Sequence, residues 1–409
     1  MNSKIIFHID VNSAFLSWTA AERISNGITP DLRMIPSVVG GNSAARKGIV
    51  LAKSVPAKAY GIKTGEPLFQ ARQKCPDLVV VPPNFQLYQR FSDRMYEICN
   101  RFSPVLQRFS IDELSLDYTN MDYHFGPPLE GASLLSSAIK QELGFTVNIG
   151  ISTNFLLAKM ASDLEKPDKI HTLYPQEIPQ KMWPLAIENL FMLGRKTAEK
   201  LRQKGIFTIG QIASCDPSFL EYHFKSHGRQ IWAYANGIDS SSLHPEHIAP
   251  VKSFSNGTTT PNDLRSLEEI QSVLLALSEK TSSRLRKAGY RCSLVELSLK
   301  SANFRCYSHQ IRLGSCIHTT NDVYQTAKFL LRQMWKGEPI RALSLCLGCL
   351  SAGPVQLSIF DRTDSLRSEK IDFSVDNIRS KYGYSAVTRA VLLNKIPLDC
   401  GSSFQKSYQ

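Results

Sequence analysis

No stretch of this sequence comes near the roughly 18 consecutive apolar residues that a membrane-spanning helix needs, and that class of membrane protein is excluded. His8 and Asp10 stand where a secretory leader would need an unbroken apolar segment, so a cytoplasmic chain is expected. A disulfide framework is missing too. The nine cysteines are odd in number and scattered over 409 residues, as suits reduced thiols. The one CxxC pair, Cys346 and Cys349, has no second Cys or His pair near it and reads as part of a buried strand, not a metal site. Acidic charge is scarce: 36 Asp and Glu face 48 Lys and Arg, leaving a net charge of +12. That imbalance argues for a polyanionic partner, with nucleic acid ahead of an anionic membrane surface.

What is present is enough apolar material, 43% of residues, to build several cores, and the length calls for two to four domains. Residues 4–10 read as a buried strand and "FLSWTAAERI" as the helix after it. A choppier region follows from about 28 to 80. Then come a helix over 86–101, a strand hairpin in "QRFSIDELSLDYT", a helix over 131–143, the strand "FTVNIGIS" and a helix from Asn154. The order suits a small sheet with helices on one face. From about 175, "LFMLGRKTAEKLRQKGIFTIGQIA" reads as helix, Gly-containing turn, helix, and "DSSSLHPEHIAP" as a linker. A second β-α-β-β-α-β pattern runs from "VKSFSNGTTT" to "IRALSLCLGCLS". Beyond Pro354 no packing pattern is legible until "SVDNIRSKYGYSAVTRAVLL".

Two places put acid inside apolar sequence. Asp10 ends the first strand, and Asp112 and Glu113 are adjacent in "SIDELSLD". Adjacent strand residues face opposite ways, so one carboxylate would point into a site and the other reach it from the edge. A buried acid without a partner costs several kcal/mol or shifts its pKa, and a cation removes that cost. Carboxylates with phosphate oxygens and waters are what Mg²⁺ prefers, and two such ions can clamp both oxygens of a phosphoryl transfer. On spacing alone, ordinary ion pairs and turn acids stay open.

Taken in order, "FHIDVNSAF", "GIKTGEPLFQA", "SIDELSLD" and "GISTNFLLAKMASDLEKPD" resemble the Y-family (translesion) DNA polymerases, nearest to their UmuC and DinB branches, from about residue 4 to 350. The resemblance implies an α+β right-hand polymerase: a ferredoxin-like palm (1–25 and 78–170), small fingers (26–77), a helical helix-hairpin-helix thumb (171–240), a linker (241–251), a βαββαβ little finger (252–352) and a C-terminal tail (353–409). It implies template-directed nucleotidyl transfer from dNTP to a primer 3′-hydroxyl, with two Mg²⁺ ions held by Asp10, Asp112, Glu113 and the Val11 carbonyl. Lys58 and Lys159 match positions that hold the triphosphate, and Phe15 matches the steric gate under the sugar. The chain departs from the family pattern at Ala14, where an aromatic is common, and at Val55, often a tyrosine.

Gly194 and Lys196 fall in the hairpin-like segment expected to meet DNA phosphates. Lys252, Arg291, Lys300, Arg305, Arg312 and Arg341 lie on or beside strands of the second unit, where a basic sheet face would bind the duplex backbone. "QLSIF", with Gln356, Leu357, Ile359 and Phe360, resembles the peptide by which bacterial polymerases dock on the sliding clamp. Primer–template DNA, dNTP and the clamp are thus the expected partners. Accessory subunits stay open, no membrane is expected, and a monomer is. A noncatalytic DNA-binding accessory and a palm-type nucleotidyl cyclase are the competing readings.

Overall fold

The computed structural model describes residues 4–41, 48–241, 243, 251–353 and 363–393. These group into two compact units, one on each side of the segment around 244–250. No helix among the described residues is long and apolar enough to cross a membrane.

The first unit runs β1 (Ile6–Val11), α1 (Ala14–Ser25), β2 (Ser37–Gly40), β3 (Val50–Lys53), α2 (Val55–Ala59), α3 (Leu68–Lys74), β4 (Val79–Val81), α4 (Phe85–Cys99), β5 (Leu106–Arg108), β6 (Glu113–Asp117), α5 (Asp122–Phe125), α6 (Pro128–Leu143), β7 (Val147–Ser152), α7 (Phe155–Ser162), β8 (Ile170–Thr172) and then helices α8 (Ile178–Lys181), α9 (Arg195–Arg202), α10 (Ile209–Ala213), α11 (Pro217–Phe224) and α12 (Ser226–Ala235). The main sheet has the order β5-β6-β1-β7-β8. Its middle strands β1 and β7 are buried at every position, so both faces are covered and not one as the sequence pattern suggested. A strand covered on both faces reads as a continuous apolar run, which explains why the pattern did not reveal the second layer.

A three-stranded sheet, β3-β2-β4, makes a separate core with Val38, Val50, Ile62, Leu68 and Leu78. The expected break at residue 77 cuts this sheet: β4 pairs parallel with β2, Val79 opposite Ser37. The boundary therefore belongs after Val81. The short helices α8–α12 close on a core that includes Met182, Leu190, Leu201, Ile209, Leu220 and Ile231.

The second unit is β9 (Ser253–Leu264), α13 (Leu267–Lys287), β10 (Tyr290–Ser301), β11 (Cys306–Ile317), α14 (Thr320–Met334), β12 (Ile340–Ala352) and α15 (Thr363–Tyr382). The antiparallel sheet β11-β10-β12-β9 is apolar on one face, where Val295, Leu297, Leu299, Leu343, Leu345 and Leu347 meet Leu274, Leu277 and Leu330 of the helices. α13 starts at a capping box: Ser266 Oγ accepts from Glu269 N–H, and Glu269 Oε2 accepts from Ser266 N–H.

Of the residues after 353, those described, 363–393, are folded onto the second unit. α15 docks on α13 and α14 through charge. Arg286 donates to Asp372 and Asp376 at 3.0 and 2.8 Å, and buried Glu279 accepts from Arg379 and Arg389 at 3.0 and 2.7 Å. Its apolar residues Ile371, Phe373 and Tyr382 point outward. A helix held by its polar face carries no apolar periodicity, so hydrophobic patterning could not reveal it.

Candidate active site

Strand register brings the carboxylates together. β1 lies antiparallel to β6 with Asp10 directly opposite Glu113, and Val11 N–H donates to the Asp112 carbonyl at 3.1 Å. Asp112 is not in the strand, as the sequence suggested, but in the turn just before it. Ser110 fixes that turn: its Oγ donates to Asp112 Oδ1 at 2.6 Å and accepts from Glu113 N–H at 3.1 Å. Burial first, and then the charges of Asp10 and Glu113, raise the Asp112 carboxyl above the usual range against the opposing Ser110 bond.

Across the sheet, α7 supplies the counter-charge. It can approach because β7 has Gly150 opposite His8; a Cβ there would lie 2.0 Å from the Ala158 carbonyl oxygen. Lys159 consequently donates from Nζ to Asp10 Oδ2 and Glu113 Oε1 at 3.1 Å each, and pairs with Asp163 at 3.1 Å. Lys166 donates to Asp10 Oδ2 at 2.8 Å. Asn148, opposite Asp10 on β7, donates to the carbonyls of Ser162 and Glu165 and so ties down the turn that carries Lys166. Burial opposes charge on Glu113, but the His8 contact and the Lys159 ammonium outweigh it and hold the carboxyl down at about 2. Burial likewise opposes charge on Lys159; Asp10, Glu113 and Asp163 reverse that and raise its pKa.

Beside this cluster is a cavity of about 360 Å³ lined by Val11, Ala14, Phe15, Lys53, Val55, Lys58, Asp112 and Lys166, among others. Cations therefore face a void whose rim carries a carboxylate. The Phe15 ring is stacked on Tyr88, centroids 4.5 Å apart and 7° from parallel, with Phe85 edge-on at 6.0 Å. An aromatic platform so backed cannot tilt away from a ligand above it. Ala14 is buried on the cavity wall.

The donor set fits a divalent cation. Asp10, Glu113 and His8 each offer an atom within 4.8 Å of the others, and Glu113 Oε2 is buried with no hydrogen-bond partner. The oxygens are the hard donors Mg²⁺ takes, whereas His8 is fully buried behind them.

Residues 9–163 match the model of the impB/mucB/samB family, and residues 251–359 match that family's C-terminal domain. The chain is 48% identical over 394 residues to "DNA polymerase IV" of Clostridium acetobutylicum, covering 96% of this chain and 99% of that one. It belongs to the Y family of DNA polymerases. "DNA polymerase IV 1" of Bacillus subtilis is 34% identical over 410 residues, covering 99% of this chain and 97% of the relative. A solved Y-family DNA polymerase chimera matches the fold with a TM-score of 0.75 at 23% identity, covering 85% of this chain and 100% of that one.

Members of the Y family use divalent metal ions, in keeping with the acids gathered here. Sequence reasoning brought Asp10, Val11, Ala14, Phe15, Lys58, Asp112, Glu113 and Lys159 to this one region of the polymerase. It missed His8, Lys53, Asn148 and Lys166. His8 carried the same signal as Asp10, a polar residue in a buried run. The others sit in ordinary polar contexts, and only the fold brings them in.

In the second unit the face of the sheet away from the helices is open. Lys300 and Arg312 are on β10 and β11 of that sheet, and small residues, Gly257, Ser298, Ala342 and Ser344, floor a trough of about 330 Å³ beside Lys300. Lys300 and Arg341 both cover the exposed ring of Phe304, each 4.8 Å from its centroid. Lys252 and Arg305 are exposed, while Arg291 pairs with Glu369 of α15 at 3.4 Å. In the first unit Gly194 caps α9 with ordinary backbone angles, and Lys196 is in that helix's first turn. The segment read as helix, Gly-containing turn, helix is α9, a turn with Gly205 in the left-handed region (φ 80°) and α10, so Gly194 precedes the first of these helices and is not in the turn between them. Gln356, Leu357, Ile359 and Phe360 lie outside the described residues.

Proposed function

We propose that this Y-family chain is a damage-bypass DNA polymerase that joins a deoxynucleoside triphosphate to a primer 3′-hydroxyl at the site built by Asp10, Asp112 and Glu113. The observation that carries this reading is a cavity lined by Asp112, the cations Lys53, Lys58 and Lys166 and a braced phenylalanine, with Asp10 and Glu113 paired beside it and Asp10 bonded to Lys166. Asp10 and Asp112 would hold two Mg²⁺ ions between them, with Glu113 at the primer side and the Val11 carbonyl at the nucleotide side. When bound, such a pair of ions lowers the pKa of the attacking hydroxyl and neutralises the triphosphate. Lys58 and Lys166 face the cavity that would take the phosphates, and Lys159 would turn from Asp10 and Glu113 toward the same anion. The 3′-oxygen attacks the α-phosphorus, the bond to the β-phosphate oxygen breaks, and pyrophosphate leaves. The flat Phe15 ring under the sugar leaves no room for a 2′-hydroxyl.

The parts of the hand follow. Palm would be 1–25 with the segment after Val81 to about 170, fingers 26 through β4, thumb 171–240, and little finger 252–352 with α15 attached. Lys300 and Arg312 on the open sheet face, with Lys252 and Arg305 at its margin, would follow duplex phosphates without reading sequence, as would the backbone near Gly194 and Lys196. Gln356, Leu357, Ile359 and Phe360 would dock the sliding clamp.

Primer extension on damaged templates tests the reading. Asp112→Ala should lose at least about 10³-fold in Mg²⁺-dependent extension, the several kcal/mol that a metal site supplies. Normal extension by that variant rules the mechanism out. Gln356→Ala should weaken clamp binding and leave clamp-free extension unchanged; unaltered clamp affinity removes that partner.

A further inference from the structure

Two buried polar atoms next to the carboxylates lack a hydrogen-bond partner, and they face each other. One is His8 Nε2, the other Glu113 Oε2, 3.5 Å apart. His8 is wholly inaccessible in the middle of β1, opposite Ser115 on β6 and Gly150 on β7. Its side chain shares a strand face with Asp10, so it is diagonal to Glu113. Nδ1 lies 2.8 Å from Ser115 Oγ. The ring is held edge-on against Phe155 at 5.6 Å and Phe109 at 6.4 Å, so it has no room to swing away.

This arrangement fixes the tautomer. A bare Nε2 lone pair facing a carboxylate would be repulsive. The stable form carries the proton on Nε2, and Ser115 O–H donates to Nδ1. A buried carboxylate oxygen and a buried N–H left apart would each keep their desolvation penalty, whereas together they satisfy each other. The 3.5 Å separation is a little beyond an ordinary hydrogen bond, as is common at sites that tighten when their ligand arrives.

We infer that His8 is a positioning residue, held by Ser115, whose Nε2–H grips Glu113 Oε2 and thereby leaves Oε1 turned toward the reaction centre. Oε1 is the oxygen that Lys159 now holds at 3.1 Å. The inference rests on Glu113 being a metal ligand in this polymerase. Its physical content is that a carboxylate with one oxygen fixed from behind loses less freedom when the other binds a cation. Outer partners of this kind affect metal affinity by about 10–100-fold.

The test is Mn²⁺ binding to the full chain with a dideoxy-terminated primer–template and dNTP, read from the electron paramagnetic resonance of free Mn²⁺, beside steady-state extension. His8→Phe keeps the ring and removes both nitrogens. It should raise the Mn²⁺ midpoint about 10-fold and lower kcat, with KM for dNTP changed less than about twofold. His8→Gln returns a donor and should recover most of the loss. If His8→Phe does not fold, Ser115→Ala decides: it frees the ring's tautomer and should shift the midpoint the same way by a smaller factor. An unchanged midpoint in the folded variant, or equal shifts in His8→Phe and His8→Gln, overturns the proposal. Glu113→Gln separates the two layers. If it leaves Mn²⁺ binding intact, the ligand reading fails with the inference built on it. If it loses Mn²⁺ while His8→Phe does not, His8 alone is misassigned.

Discussion

Lys159→Met should destabilise the metal-free polymerase and do so much less once Mg²⁺ is present. The ammonium is 8% exposed and 3.1 Å from both Asp10 and Glu113, which are 9% and 19% exposed. At an effective dielectric constant of about 20, each contact is a gross attraction of about 5 kcal/mol. Asp10 and Glu113 offer oxygens within 4.8 Å of each other, a repulsion of about 3.5 kcal/mol on the same scale. Desolvation cancels much of the gross attraction, but removing one member strands the others, and such losses run to about 3–5 kcal/mol. Lys166 still neutralises Asp10, and Asp163 is half-exposed, so the lower end applies: about 3 kcal/mol. That corresponds to a fall in Tm of roughly 6–12 °C for the first unit. Methionine keeps the length and apolar stem, so the loss is one of charge. The assay is urea and thermal unfolding in EDTA and again in excess Mg²⁺. Divalent charge should replace the missing ammonium and bring the deficit below about 1.5 kcal/mol. A deficit under about 1 kcal/mol in EDTA, or the same deficit in both conditions, refutes the account of the cluster.

Asp112→Asn should abolish extension yet stabilise the metal-free fold at neutral pH by about 0.5–2 kcal/mol. The sign follows from Asp112 having a raised folded pKa: its favourable contribution is complete below the ordinary carboxylate range and is lost as pH rises through the folded value, so near pH 7 the ion is a burden. Wild type should therefore gain relative to Asp112→Asn on mild acidification, and equal stabilities from pH 4 to 8 would contradict this. Phe15→Ala should raise ribonucleotide use about 10–100-fold in single-nucleotide incorporation; no rise returns the ring to a packing role. Glu279→Gln removes the charge partner shared by Arg379 and Arg389, so amide exchange across 367–382 should speed up roughly 100-fold while β10 and β12 keep their protection. Unchanged protection of α15 would mean that the ion pairs do not hold it.

Much of the first unit was legible because its elements obey short-range rules. The β1 run, the amphipathic α4 and the β6 alternation were read from periodicity, and the active-site stretches from their resemblance to a family. The first half of α15, before Ser374, was not legible, because the helix docks by Glu279 and Arg286 and not by an apolar stripe. The boundary at 77 went astray for a related reason. β4 is three residues long, too short for a periodic signal, and is defined by its pairing with β2. The helix, turn, helix pattern appears as α9 and α10, with its turn at Gly205 and not Gly194, because two glycines flank one short helix and spacing does not say which of them takes the left-handed angles.

By itself the sequence determined which chemical groups this polymerase can use: Asp10 at a strand end, the Asp112–Glu113 pair, Phe15 on the first helix, and an excess of basic charge. The acids and the basic excess are read from composition and local order, and Phe15 from the resemblance to the family. Tertiary structure decided which of them meet, and on what terms. Strand register set Asp10 against Glu113, a missing Cβ at Gly150 let α7 bring Lys159 to both, and the turn held by Asn148 delivered Lys166 from 156 residues away. Like charges collect at one point only where a fold already stabilised elsewhere by apolar burial forces them together, and that surplus is not written in any local stretch of residues.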